Sequence, residues 1–194
     1  HIWYILWENI SIQRKNKISK TIVVSSWGGF HNKKWFLLLL KYLSVFMDLK
    51  IYFFPGDDIS LEEKVSLQKY ISWFKNIILK DFSKEYYNLL AQADIAFMAG
   101  GYNSFCDIFQ YNIPCYVLGY GQNNLAVETN IFEIETRLQA FSQVENIHRL
   151  YDFDIKKIEE IIKYEYTKVR DEESIYKDIK INGYSEIYDV LIQK

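Results

Sequence analysis

Cysteine, histidine and proline are scarce in this chain, and each scarcity removes a class of explanation. The 194 residues hold two cysteines, Cys106 and Cys115, and three scattered histidines, His1, His31 and His148. Two thiols make no disulfide framework, so a reducing compartment is expected. Neither residue type shows metal-site spacing, so no metal is expected. The net charge is −2, and without a long basic stripe there is no electrostatic case for nucleic acid. A membrane-spanning run is also lacking. The most apolar stretch, residues 35–47, is interrupted by Lys41 and is too short to cross a bilayer. No secretory signal is visible. The two prolines, Pro55 and Pro114, both punctuate apolar runs.

What remains is a globular composition, 49% hydrophobic and 25% charged. The length suits one domain with a full core or one lobe of a larger enzyme. Residues 1–20 divide into an aromatic, apolar start and a basic, polar stretch. They read as a linker or the remnant of a preceding lobe, or equally as an edge strand with a solvated loop.

Residues 21–25, TIVVS, are a β-branched run of buried-strand type, followed by Gly28-Gly29. Asn32 is a cap candidate for a helix over 33–47, with Phe36, Leu39, Leu40, Leu43 and Phe46 or Met47 at helical spacing. A second strand, LKIYFF at 49–54, closes on Pro55-Gly56. Asp57-Asp58 reads as a solvated loop with a cap rather than an acidic site, and a helix over 60–74 follows. A short strand at 76–80, a helix over 84–92 with Tyr86, Leu89 and Leu90 inward, and a strand at 94–98 come next. That strand breaks at Gly100-Gly101, where a helix opens and runs over 102–111. Pro114 then starts a strand at 115–118. Beyond it lie a loop rich in glycine and amides at 119–124, a helix over 126–135, a short strand at 138–141, an amphipathic helix over 154–166 and a final helix over 183–192.

This alternation predicts an α/β fold, a Rossmann-like open parallel sheet with helices on both faces. Such sheets bind ligands beyond the carboxyl ends of their strands. The loops at Gly28-Gly29, Gly100-Gly101 and Gly119-Gly121 all follow strands, so they are expected on one edge. Strand, glycine turn and helix start together form the shape that holds an anion at a helix N-terminus.

The run Gly100-Gly101-Tyr102-Asn103-Ser104, with Asp107 on the helix and Pro114 opening the next strand, resembles the C-terminal, nucleotide-sugar-binding lobe of GT-B glycosyltransferases. It is similar to the peptidoglycan N-acetylglucosaminyltransferase group, also described as the glycosyltransferase family 28 C-terminal domain. The resemblance covers roughly residues 21–141 and, more weakly, the last helix. The chain departs from the family pattern at two positions: Asp107 stands where Glu is usual and Thr129, after Glu128, where Gln is usual.

The resemblance implies a donor-nucleotide domain over 21–150, followed by C-terminal helices over 151–194. It implies that Gly100, Gly101, Tyr102, Asn103 and Ser104 offer backbone amides to a diphosphate, which Gly28 and Gly29 face from the first strand. It places Asp107 at the ribose and the base near Phe82. Gln122, Asn123, Glu128 and Thr129 become candidates for contacting the sugar. The implied substrate is a nucleotide sugar, uridine-linked by family habit, with no cofactor. Catalytic residues are not assigned, because the acceptor lobe lies N-terminal in such enzymes or on a separate subunit. His31, after the first turn, reads as a surface histidine. The expected location is the cytoplasm, with peripheral contact at the inner face of a membrane, since lipid-linked acceptors are common in the family. A nucleotide-sugar hydrolase and a non-catalytic interaction subunit are the competing readings.

Overall fold

A computed structural model describes residues 20–26, 33–56, 59–111, 113–118, 128–141, 146–150 and 152–168. Within it, strand β1 (Lys20–Ser25) leads into helix α1 (Lys33–Leu43), and β2 (Leu49–Phe54) into α2 (Leu61–Ile71). Then come β3 (Ile77–Leu79), α3 (Lys84–Ala91), β4 (Ile95–Ala99) and α4 (Tyr102–Tyr111). The described chain ends with β5 (Cys115–Leu118), α5 (Glu128–Ala140), β6 (Ile147–Leu150) and α6 (Ile155–Thr167).

The strands form one six-stranded sheet in the order β3-β2-β1-β4-β5-β6. Every neighbouring pair is parallel. The central strands β1, β4 and β5, buried on both faces, read as largely apolar runs, as parallel sheets require. Val23 and Ala96 point to a core shared with α3, α4 and α5. Ile22, Val24 and Phe97 point to the opposite core, made with α1, α2 and α6. The direction in which strands are added to the sheet reverses between β1 and β4, and there two bonds lock these parallel strands together. The Asp94 amide donates to the Thr21 carbonyl at 2.8 Å, and the Thr21 amide donates to Asp94 Oδ2 at 2.7 Å.

Local signals explain most boundaries. Ser60 and Glu63 form a capping box at the start of α2, so the cap is Ser60 itself, while residues 57 and 58 lie outside the described part. Ser83 and Asp154 cap α3 and α6. Gly56 takes φ 89°, a left-handed conformation that glycine adopts without penalty and that closes β2.

Two expectations are corrected. The strand expected at 138–141 is the last turn of α5 and its exit. Ile134, Leu138 and Phe141 recur at helical spacing and pack on the α4 side of the sheet. The sixth strand is β6, where Ile147 and Leu150 face opposite cores, a three-residue offset that only a strand provides. The first helix also stops at Leu43, not at Met47. The Phe46 amide donates to the Leu43 carbonyl at 3.1 Å and turns the chain, leaving Met47 exposed. The N-terminal residues 1–19, the cap candidate Asn32 and the helix expected over 183–192 lie outside the described residues.

Candidate functional site

The parallel order 3-2-1-4-5-6 puts a crevice at the carboxyl edge between β1 and β4, where the connections leave in opposite directions. The register is flush there, with Ser25 paired to both Phe54 and Met98. Ser26 continues the edge inward. Its amide donates to the Phe54 carbonyl at 3.0 Å, and its hydroxyl donates to the Pro55 carbonyl. The loop that follows, with Gly28, Gly29 and His31, lies outside the described residues. So do Gln122 and Asn123.

Across the crevice, β4 ends at Ala99 and α4 begins three residues later, at Tyr102. The two intervening glycines serve different ends. A Cβ on Gly100 would lie 2.5 Å from Ile134 Cγ2 and 2.9 Å from Val117 Cγ1, so glycine there lets α5 close onto the sheet. Among the described residues, a Cβ on Gly101 would meet nothing within 4 Å. The bare backbone at Gly101 therefore borders space that no described residue fills, at the head of α4. Its amide donates to the Ala99 carbonyl at 2.9 Å, and its carbonyl accepts from the Phe105 amide at 3.3 Å, which starts the helix.

Tyr102, Asn103 and Ser104 form the first turn of α4. Amides in a first helical turn have no partner within the helix and carry the positive end of its dipole. Asn103 is exposed. Ser104 is fully buried, and its hydroxyl has no hydrogen-bond partner. No acidic residue occupies this turn to compete with an anion.

One turn further on, the Asp107 carboxylate is buried and accepts a hydrogen bond from the Tyr86 hydroxyl at 3.0 Å. Tyr86 stands in the first turn of α3 and is fully buried. Its ring packs edge-on against Phe54 at 4.9 Å and lies 4.7 Å from Phe82. Phe82 also touches Tyr87 at 5.9 Å. Thus Phe82 and Asp107, placed together by their implied roles, are joined through Tyr86. The sequence reading set Tyr86 inward but gave it no role. The available signal was a phenol at an inward helical position, because a buried tyrosine hydroxyl needs a partner.

Asp107 also colours its surroundings electrostatically. Burial, then the Asp107 charge, pushes the Cys115 thiol well above its ordinary range. The same two causes raise the Tyr87 phenol. Both groups therefore stay neutral at physiological pH and offer no nucleophile. Glu128 and Thr129 are the first two residues of α5. Because α5 connects parallel strands, its start belongs to the same carboxyl edge. Among the described residues no group of three or more His, Cys, Asp or Glu side chains is placed to hold a metal ion. Among those residues, too, no helix is long and apolar enough to cross a membrane.

No protein-family model matches the chain, and no curated protein does. Solved structures do match it. The MurG protein of Acinetobacter baumannii aligns over 94% of this chain and 55% of its own, with TM-score 0.64 and 9% identity. The glycosyltransferase VinC, solved in complex with dTDP, aligns over 80% of this chain and 35% of its own, with TM-score 0.54 and 11% identity. A putative UDP-N-acetylglucosamine 2-epimerase from Listeria monocytogenes aligns over 78% of this chain and 38% of its own, with TM-score 0.54 and 8% identity. These likenesses show the fold, a Rossmann-like parallel α/β sheet like that of the matched glycosyltransferase structures. The chain spans about half, or less, of the length of these glycosyltransferase structures.

Proposed function

We propose that this chain is the donor-binding lobe of a GT-B glycosyltransferase and takes a nucleoside diphosphate sugar, uridine-linked, at the carboxyl edge of its sheet. One observation carries this reading: α4 opens, free of acidic residues in its first turn, at the β1/β4 crevice, behind a glycine whose side-chain position no described residue fills. The diphosphate would sit on the first-turn amides of α4, which stabilise it as the leaving group without a metal. The Phe82–Tyr86–Asp107 cluster would bound the nucleoside side of the crevice. Glu128 and Thr129 would approach from α5 toward the sugar. The acceptor site and the catalytic base belong to a separate lobe or subunit, in keeping with the partial coverage of the matched structures. A cytoplasmic location follows from the same reading.

A second reading is supported by the likeness to the 2-epimerase structure. The same lobe can serve an enzyme that processes the nucleotide sugar itself, with water rather than a sugar as acceptor. In both readings the donor lobe acts alike, and only the lobe or subunit that completes the site differs.

Calorimetric titration with UDP, dTDP, GDP and ADP tests the proposal. UDP should bind most tightly. Gly101→Val should weaken it by about 1–3 kcal/mol, the usual loss when a bound polar group gives up its partners. Because no described residue fills the space beside Gly101, the melting temperature of that variant should stay within error of wild type. Absence of binding by any of the four at millimolar ligand would sink the reading.

A further inference from the structure

Asp107 is a charge set beneath the head of α4 rather than in it. It is the sixth residue of the helix, about 7.5 Å along the axis from the first. The residue is 4% exposed, and its Oδ2 accepts the hydroxyl of fully buried Tyr86 at 3.0 Å. A phenol sent into a core needs a partner, and a buried carboxylate needs donors, so each side chain answers the other.

The neighbours on the same helical row fix which way the carboxylate faces. Asn103, Asp107 and Tyr111 follow one another at four-residue spacing along α4. Asn103, at the head, is exposed, while Asp107 and Tyr111 are buried. The Tyr111 ring lies 6.5 Å from the ring of Tyr87, which follows Tyr86 on α3. Below its first turn the row is therefore closed off by α3. The reach of the Asp107 charge agrees. Behind burial, it is the second cause that raises the Tyr87 phenol on α3 and the thiol of Cys115, the first residue of β5 and so at the amino end of that strand.

We infer that Asp107 does not touch the sugar of a bound nucleotide but is a positioning residue, one half of a buried Tyr86–Asp107 strut that ties α4 to α3 and fixes the helix head on which a diphosphate rests. The inference rests on the donor-lobe reading and departs from the ribose contact that the family resemblance implies for the acidic position. The shorter side chain fits the departure. Aspartate places its carboxylate one methylene closer to the helix than glutamate, and here it ends on an inward phenol. The polar side chain that this row leaves for a ligand is that of Asn103. A change at either end of the strut should then be felt by the phosphates of a ligand and not by its ribose hydroxyls.

The test is calorimetry with UDP, 2′-deoxy-UDP, 3′-deoxy-UDP and, by competition, inorganic pyrophosphate. Asp107→Asn should weaken all four by one common factor, about three- to tenfold, and Tyr86→Phe should do the same. A role in packing alone would leave the affinity of the folded protein unmoved. The inference is overturned if Asp107→Asn leaves all four affinities intact. It is overturned equally if that variant weakens UDP about tenfold or more while leaving pyrophosphate or a deoxy analogue unaffected, because Asp107 would then be the ribose contact. A double-mutant cycle of the same two substitutions in urea unfolding needs no ligand. The double variant should lose less than the sum of the single losses, and additive losses would mean that no strut exists. If wild type binds none of the four at millimolar concentration, the donor-lobe reading fails and takes this inference with it, whereas a loss selective for the ribose hydroxyls fails the inference alone.

Discussion

The two faces of the sheet are filled with different chemistry. Against one face, α1 and α2 bury the apolar side chains of Phe36, Leu39, Leu40, Leu43, Leu67 and Ile71 over Ile22, Val24, Ile51 and Phe53, and that core turns polar toward β5 and α6, where Tyr116 meets Glu165. Against the other, α3 and α4 bury Tyr86, Tyr111, Cys106, Ser104 and Asp107. The α1–α2 part of the first face can be assembled from shape and area alone. The second must satisfy a carboxylate and phenols in a low dielectric, where an unmatched polar group is costly. That is also the face whose helices reach the carboxyl edge at α4, so the polar burial lies directly behind the candidate site. One layer supplies stability, and the other holds a geometry.

Substitutions can test that division, from the strongest effect to the weakest. Phe36→Ala empties a fully packed site in the apolar layer and should cost about 3–5 kcal/mol in urea unfolding. Nucleotide affinity of the folded fraction should not change. Gly100→Ala forces a methyl against Ile134 and Val117 and should cost about 1–3 kcal/mol. Adding Ile134→Ala should give a combined loss smaller than the sum, measured as a double-mutant cycle. If Gly100→Ala is neutral, α5 does not close on the sheet as described.

Tyr86→Phe removes one hydroxyl and leaves Asp107 without that donor, at a cost of about 1–3 kcal/mol in stability. If the polar layer shapes the site, UDP affinity should fall with it. The smallest effect is expected at the far edge. There the Tyr116 hydroxyl donates to Glu165 Oε1 at 2.7 Å. Burial first, then that hydrogen bond and the Glu165 charge, push the phenol far above the ordinary tyrosine range. A raised folded pKa contributes stability that is complete below the unfolded value of about 10 and is lost as pH climbs above it. Thermal unfolding followed from neutral to about pH 11 should therefore show a falling midpoint. In Tyr116→Phe that fall should be shallower.

Most of the architecture could be read from residue order. Strands such as TIVVS and LKIYFF are continuous apolar runs bounded by turn residues, and Phe36, Leu39, Leu40 and Leu43 recur at helical spacing. Both patterns are local, so one chain suffices to see them. The failures occurred where the local signal was short. Leu138 to Phe141 carries too few residues for its period to separate a helix end from a strand. Ile147 to Leu150 holds a histidine and an arginine on an edge strand, which never needed an unbroken apolar run.

The sequence by itself determined the open parallel sheet and the helix that opens after Gly100-Gly101, because periodicity and turn chemistry act over a few residues; the loops expected at Gly28-Gly29 and Gly119-Gly121 lie outside the described residues. Only the tertiary structure decided that the paired glycines differ. Gly100 is small because Ile134, thirty-four residues later, leans on it, and Gly101 borders space that no described residue fills. It decided also that Asp107 meets Tyr86 from another helix. Contacts between residues far apart in the chain leave no period to read, and they exist only once the layers have packed.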